Sequence, residues 1–211
     1  MGQAVSREPM DGRPVGRPCH DARVTQRVVD REALVGVAIA GGFGIGWVLW
    51  AASGLRGGAA TAVRIAGVVI GALIVASALW RQRAVEPGAA APRRGSESMF
   101  RSRGYLAWVA AEVVALVVGN SVLGATGHGE YVAAWTALVV GVHFLGFGRL
   151  FVAMFYWVGA AFLVAAVVGA ATGAAGGSRQ DVAAATGLIA AVSLFVAGGW
   201  GLLGAASSGP D

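Results

Sequence analysis

LFVAMFYWVGAAFLVAAVVGAA, residues 150–171, runs for 22 positions without one charged side chain. At 1.5 Å per residue a helix of that length covers about 33 Å, close to the thickness of a hydrocarbon layer. Its residues do not alternate apolar with polar, as the strands of a membrane barrel do. Five further segments are apolar enough and long enough to be read as spans, at residues 33–52, 60–80, 105–123, 131–147 and 182–204, with one charged residue each in the second and third of the six, Arg64 and Glu112. The predicted fold class is all-α, a polytopic transmembrane bundle of six spans. The many Gly and Ala residues do not argue against helices, because in lipid each unpaired backbone group costs several kcal/mol.

The composition of the whole chain points the same way. Of 211 residues, 56% are hydrophobic and 13% charged, about half the charge of an ordinary soluble domain. That leaves too little polar surface to coat a globule in water. Disorder is excluded over most of the length, since it requires low hydrophobicity and high charge. Collagen is excluded because the 34 Gly residues follow no three-residue period. Cys19 is the single cysteine, so no internal disulfide forms, and it reads as a thiol of the tail.

All 16 basic residues are Arg, set against 11 acidic ones. A nucleic-acid surface would interleave its basic residues with aromatics on one face. Here they gather in two segments that flank apolar spans, which is an orientation signal. Nucleic acid is therefore excluded as a partner, and the lipid bilayer is the partner expected.

The predicted organisation is a disordered, basic cytoplasmic tail over residues 1–32, a six-helix transmembrane domain over 33–206 and a short cytoplasmic tail over 207–211. The first tail is broken by Pro9, Pro14 and Pro18, with helix expected over 21–32 as it enters the membrane. Its charged region is too long for a cleaved signal peptide. The long loop, 81–104, is rich in Ala, Pro, Gly and Ser and is expected to be flexible. Gly148 and Arg149 form a predicted tight joint between spans four and five. With these boundaries 13 Arg fall on one side of the membrane and two, Arg56 and Arg179, on the other. By the positive-inside rule both termini are cytoplasmic, in an inner (plasma) membrane. Trp47, Trp50, Tyr131 and Trp135 are expected at the outer headgroup level. Trp80, Tyr105, Trp108 and Trp200 are expected toward the inner one.

Polar residues within the spans are the candidate binding residues: Glu112, His143, Asn120 and Arg64. Glu112 lies about 10 Å from the inner edge of span three. A charge at that depth must face protein or water, be paired, or be protonated. Spans three and four form a hairpin, and His143 on span four falls within about 5 Å of the same depth. A Glu112–His143 contact is feasible, either as a proton-sensitive pair or as a bond joining two helices. Arg64 lies near the outer end of span two, where snorkelling to headgroups competes with an anion contact. Should its face meet span three, Asn120 is a candidate partner. Gly42-x-x-x-Gly46 and Gly67-x-x-x-Gly71 are close-packing motifs. Thr186 and Ser193 share a face of span six and are expected to bond to their own backbone or a neighbouring helix.

Catalytic signatures are missing. The sequence holds no H-E-x-x-H, no G-x-S-x-G, no P-loop and no Cys/His metal cluster. Residues 199–204 fit G-x-G-x-x-G but follow a membrane span rather than a strand, so dinucleotide binding is rejected. The expectation is a protein that is not an enzyme, with no catalytic residue, metal or cofactor.

The stretch AAWTALVVGVHFL, residues 133–145, with Ala111-Glu112-Val113-Val114 and Gly119-Asn120 upstream, resembles a group of uncharacterised small multi-span membrane proteins of actinobacteria. Where that group carries a Pro soon after His-Phe-Leu, this chain has Gly146-Phe147-Gly148. The resemblance implies a membrane location and a helical hairpin but no activity. The reading is a small transporter-like protein. Its alternative is a membrane-embedded accessory or scaffold subunit that packs through Gly-rich faces, as a homo-oligomer or with another membrane protein.

Overall fold

The structure, a computed structural model, describes residues 19–84, 103–150 and 153–207. Six helices follow one another: α1 (Cys19–Ala52), α2 (Gly57–Ala84), α3 (Arg103–Ala125), α4 (Val132–Leu150), α5 (Met154–Ala174) and α6 (Arg179–Ser207). A single 3-10 turn, Gly129–Tyr131, precedes α4, and there is no strand among the described residues. Each helix contains a segment long and apolar enough to cross a membrane.

Local chemistry sets the boundaries. α1 starts immediately after Pro18, the last proline before the span, and no Gly or Pro interrupts it until Gly36. The chain is therefore helical over 19–32, a stretch that includes residues 21–32, where helix was expected. Residues 1–18 and the expected flexible part of the long loop, 85–102, lie outside the described residues. At the start of α6 the Ser178 backbone N–H donates to Asp181 Oδ2 at 2.9 Å, and the Asp181 N–H donates to Ser178 Oγ at 3.3 Å. That reciprocal pair caps two otherwise orphaned donors. The predicted joint at Gly148 and Arg149 is not a joint. α4 runs through both to Leu150 and α5 begins at Met154. Gly148 stays helical and leaves room for the ring of Tyr156, whose nearest atoms would lie 2.8 Å from a Cβ there.

Four helices, α1, α4, α5 and α6, make the centre. α6 packs on α1, α5, α4 and α2, and α4 packs on α5. The middle is filled by Trp47, Phe162, Ala137, Ala165, Ala190 and Leu194, all buried. Trp47 stacks on Trp50 at 5.3 Å between centroids and meets Phe162 edge-on at 5.5 Å. The expectation that Trp47 anchors at the headgroups is thus corrected. At 6% exposure it is a core residue, because α1 is an inner helix whose face turns toward α5 and α6.

Two contacts bring backbones together. A Cβ on Gly41 would lie 3.0 Å from the Gly71 carbonyl oxygen, and one on Gly71 would lie 2.9 Å from that of Gly41. Gly141 and Gly159 repeat the arrangement between α4 and α5, at 3.1 and 2.9 Å. With lipid as apolar as a leucine side chain, such close van der Waals packing is a main driver of helix association. Gly67 serves the same α1–α2 seam, against Val48. Gly42 and Gly46, by contrast, have nothing within 4 Å, so that motif packs on no other described helix. The neighbouring Gly41 and Gly44 face the protein instead.

The outer surface is apolar. Trp157, Trp80 and Trp200 are 80%, 72% and 71% exposed, which suits a bilayer and not water. All three lie near the end of the bundle where α2 and α6 finish and α5 begins. At that end Arg81 of α2 donates to the Leu202 carbonyl of α6.

Candidate functional site

α2 and α3 flank the four-helix centre in different ways. α2 lies against α1 and α6, whereas α3 lies against α4 and the 3-10 turn alone among the described elements. No residue of α3 is buried. Its one covered side is held by three features in sequence order along α3.

Nearest the start of α3, Tyr105 stacks on Phe147 of α4 at 5.4 Å, and the Trp108 ring lies over Gly146, 3.0 Å from where a Cβ would stand. Next comes the ionisable pair. Glu112 Oε2 lies 3.3 Å from His143 Nδ1, with the two side chains 19% and 9% exposed. The approach is of ion-pair distance but is not aligned as a hydrogen bond, and Nδ1 has no other partner. The remaining surroundings of the imidazole are aromatic: Phe147 meets it edge-on at 4.1 Å between centroids, and Phe144 at 6.1 Å. Last, Trp135 Nε1 donates to the Ala115 carbonyl at 3.1 Å, and its indole lies where Gly119 has no side chain.

The depth match between Glu112 and His143 is thus realised as a contact. The other two candidates do not join it. Asn120 is eight residues further along α3, about 12 Å away by helical rise, with its Oδ1 buried and without a hydrogen-bond partner. Arg64 is exposed on α2, which does not pack on α3, so the expected Arg64–Asn120 partnership is not formed. An exposed guanidinium on a flanking helix fits snorkelling.

Trp135 was read as a headgroup anchor because it lies near the start of span four. The structure turns its ring sideways into the α3 seam. The signal for this was Gly119, whose missing side chain leaves room for the indole. Thr186 also departs from expectation. It is fully buried where Gly169 of α5 and Ala134 of α4 close over it, and its Oγ1 has no partner. Ser193 behaves as expected, donating to the Ala190 carbonyl at 2.8 Å.

Chemically the site is small. Glu112 and His143 supply two metal-type donors, and no group of three His, Cys, Asp or Glu forms among the described residues. A structural zinc asks for four ligands and a catalytic one for three; the two groups present can pair charges and exchange a proton. No family model matches the chain, and neither curated proteins nor solved structures gave a match.

Proposed function

We propose that this chain is a non-enzymatic subunit of the plasma membrane, an accessory or scaffold component that works through helix association. One observation carries the reading: the polar pair lies off-axis in the α3–α4 seam, while the bundle centre is closed by Trp47, Phe162 and small apolar residues. A conduit needs polar groups lining a wet path near the midplane. Both termini are cytoplasmic in this reading, an orientation supported by the Arg count and by Arg81, Arg83, Arg103 and Arg149 lying at the helix ends on that side.

A second reading, a small transporter, is favoured by the Glu112–His143 pair itself, since ionisable groups within spans often serve proton relays. The size of the native particle tests the first reading. Extracted from its own membrane in a mild detergent, the chain is expected in a stoichiometric assembly, with copies of itself or with another membrane protein. A particle holding a single 21.2 kDa chain would contradict it.

A further inference from the structure

We propose that the α3–α4 seam is a one-proton latch: α3 is held against α4 while Glu112 and His143 together retain one exchangeable proton, and is released when they hold none or two. The latch is independent of the assembly reading, because either a scaffold or a conduit can contain it.

The inference starts from the way α3 is attached. It leans on one helix and the 3-10 turn, and no residue of it is buried. A helix held on one side is the element most easily moved, and the short link after it carries a left-handed glycine, Gly127, at φ +81°. Within the seam Oε2 and Nδ1 are 3.3 Å apart. With one proton between them the pair is neutral overall, as carboxylic acid with imidazole or as carboxylate with imidazolium. Removing that proton leaves a carboxylate against a neutral ring. Adding a second leaves an imidazolium against a neutral acid. Each case places an uncompensated charge in a seam lined by Phe144, Phe147 and Trp108, which is unfavourable.

Among the described residues, the other ionisable groups on the packed elements lie toward the ends of the seam. From α3 the nearest are Tyr105, stacked on Phe147, and Arg103 at the helix start. From α4 there is exposed Arg149, and from α5 Tyr156, lying over Gly148. Arg179 and Asp181 of α6, and Glu130 of the 3-10 turn with His128 beside it, belong to the opposite end of the bundle. What remains is to open the seam and hydrate the charge. Docking of α3 is therefore bell-shaped in pH. Loss or gain of one proton changes the closed-to-open ratio by up to roughly tenfold per pH unit.

Spin labels at two lipid-facing positions, Val114→Cys on α3 and Val142→Cys on α4, in a Cys19→Ser background, report the α3–α4 distance in lipid nanodiscs. In the full chain we expect one short distance near neutral pH and a second, longer population at about pH 5 and at about pH 9. Glu112→Gln leaves only His143 to titrate, so α3 stays docked at high pH and releases as pH falls. His143→Gln leaves only Glu112, so α3 stays docked at low pH and releases as pH rises. Carrying both substitutions, the chain is docked throughout. A distance distribution in the full chain that ignores pH overturns the latch, whether or not the single variants fold. So do two single variants that respond to pH in the same direction.

Discussion

Gly159→Leu should wedge α5 away from α4 and cost about 3 kcal/mol, read as a lower midpoint for unfolding in a denaturing detergent. A Cβ at Gly159 would stand 2.9 Å from the Gly141 carbonyl oxygen, with Leu145 side-chain atoms equally close. Leu145 can change rotamer, but the carbonyl belongs to α4 itself, so relief requires the two helices to separate. Overpacking a tight core typically costs about 1–3 kcal/mol, and a wedge between backbones belongs at the upper end of that range. Gly46→Leu is the internal control. Nothing lies within 4 Å of Gly46, so the same side chain there should change the midpoint by no more than about 0.5 kcal/mol. Equal losses at the two positions would mean that Gly42-x-x-x-Gly46 is covered after all.

Phe162→Ala is the second large loss, about 2–3 kcal/mol by the same measurement. Phe162 is fully buried and packs against Trp47 and Phe144, with centroids 5.5 and 5.7 Å away. In a water-soluble core such a change costs roughly 3–5 kcal/mol, of which part is transfer from water. Here the alternative environment is lipid rather than water, so mainly the cavity contribution remains. Leu at this position refills most of the space and should recover more than half of the loss. A Phe162→Ala protein as stable as the parent would mean that the centre is loosely packed or hydrated, which removes the main ground for a closed bundle.

What was legible in the sequence follows from what lipid selects. Span length is dictated by bilayer thickness and backbone satisfaction, so six spans could be read from apolar runs alone. The Glu112–His143 contact was legible because an ionisable group in a span must face something, and a hairpin fixes which helix is near and at what depth. Facing was not legible. In water, polarity marks the outside of a helix, but lipid and protein interior are alike to an apolar side chain. Gly41 and Gly42 are chemically the same, and only the packing of α1 decides that Gly41 meets α2 while Gly42 stays open. Trp47 and Trp135 misled for a related reason. An indole near a span end suits headgroups, a core or a neighbouring glycine about equally, and tertiary packing chose the latter two. Arg64 was paired with Asn120 on depth, yet the order of helices around the bundle separates α2 from α3.

That the bundle conducts no protons, neither through its centre nor along the α3–α4 seam, is tested most directly by proton flux through the purified chain in proteoliposomes carrying an internal pH dye. Under an imposed pH gradient, the flux should equal that of protein-free vesicles, and Glu112→Gln should leave it unchanged. Flux well above that of protein-free vesicles, and abolished by Glu112→Gln, would make the seam a path rather than a fastening and would contradict the account.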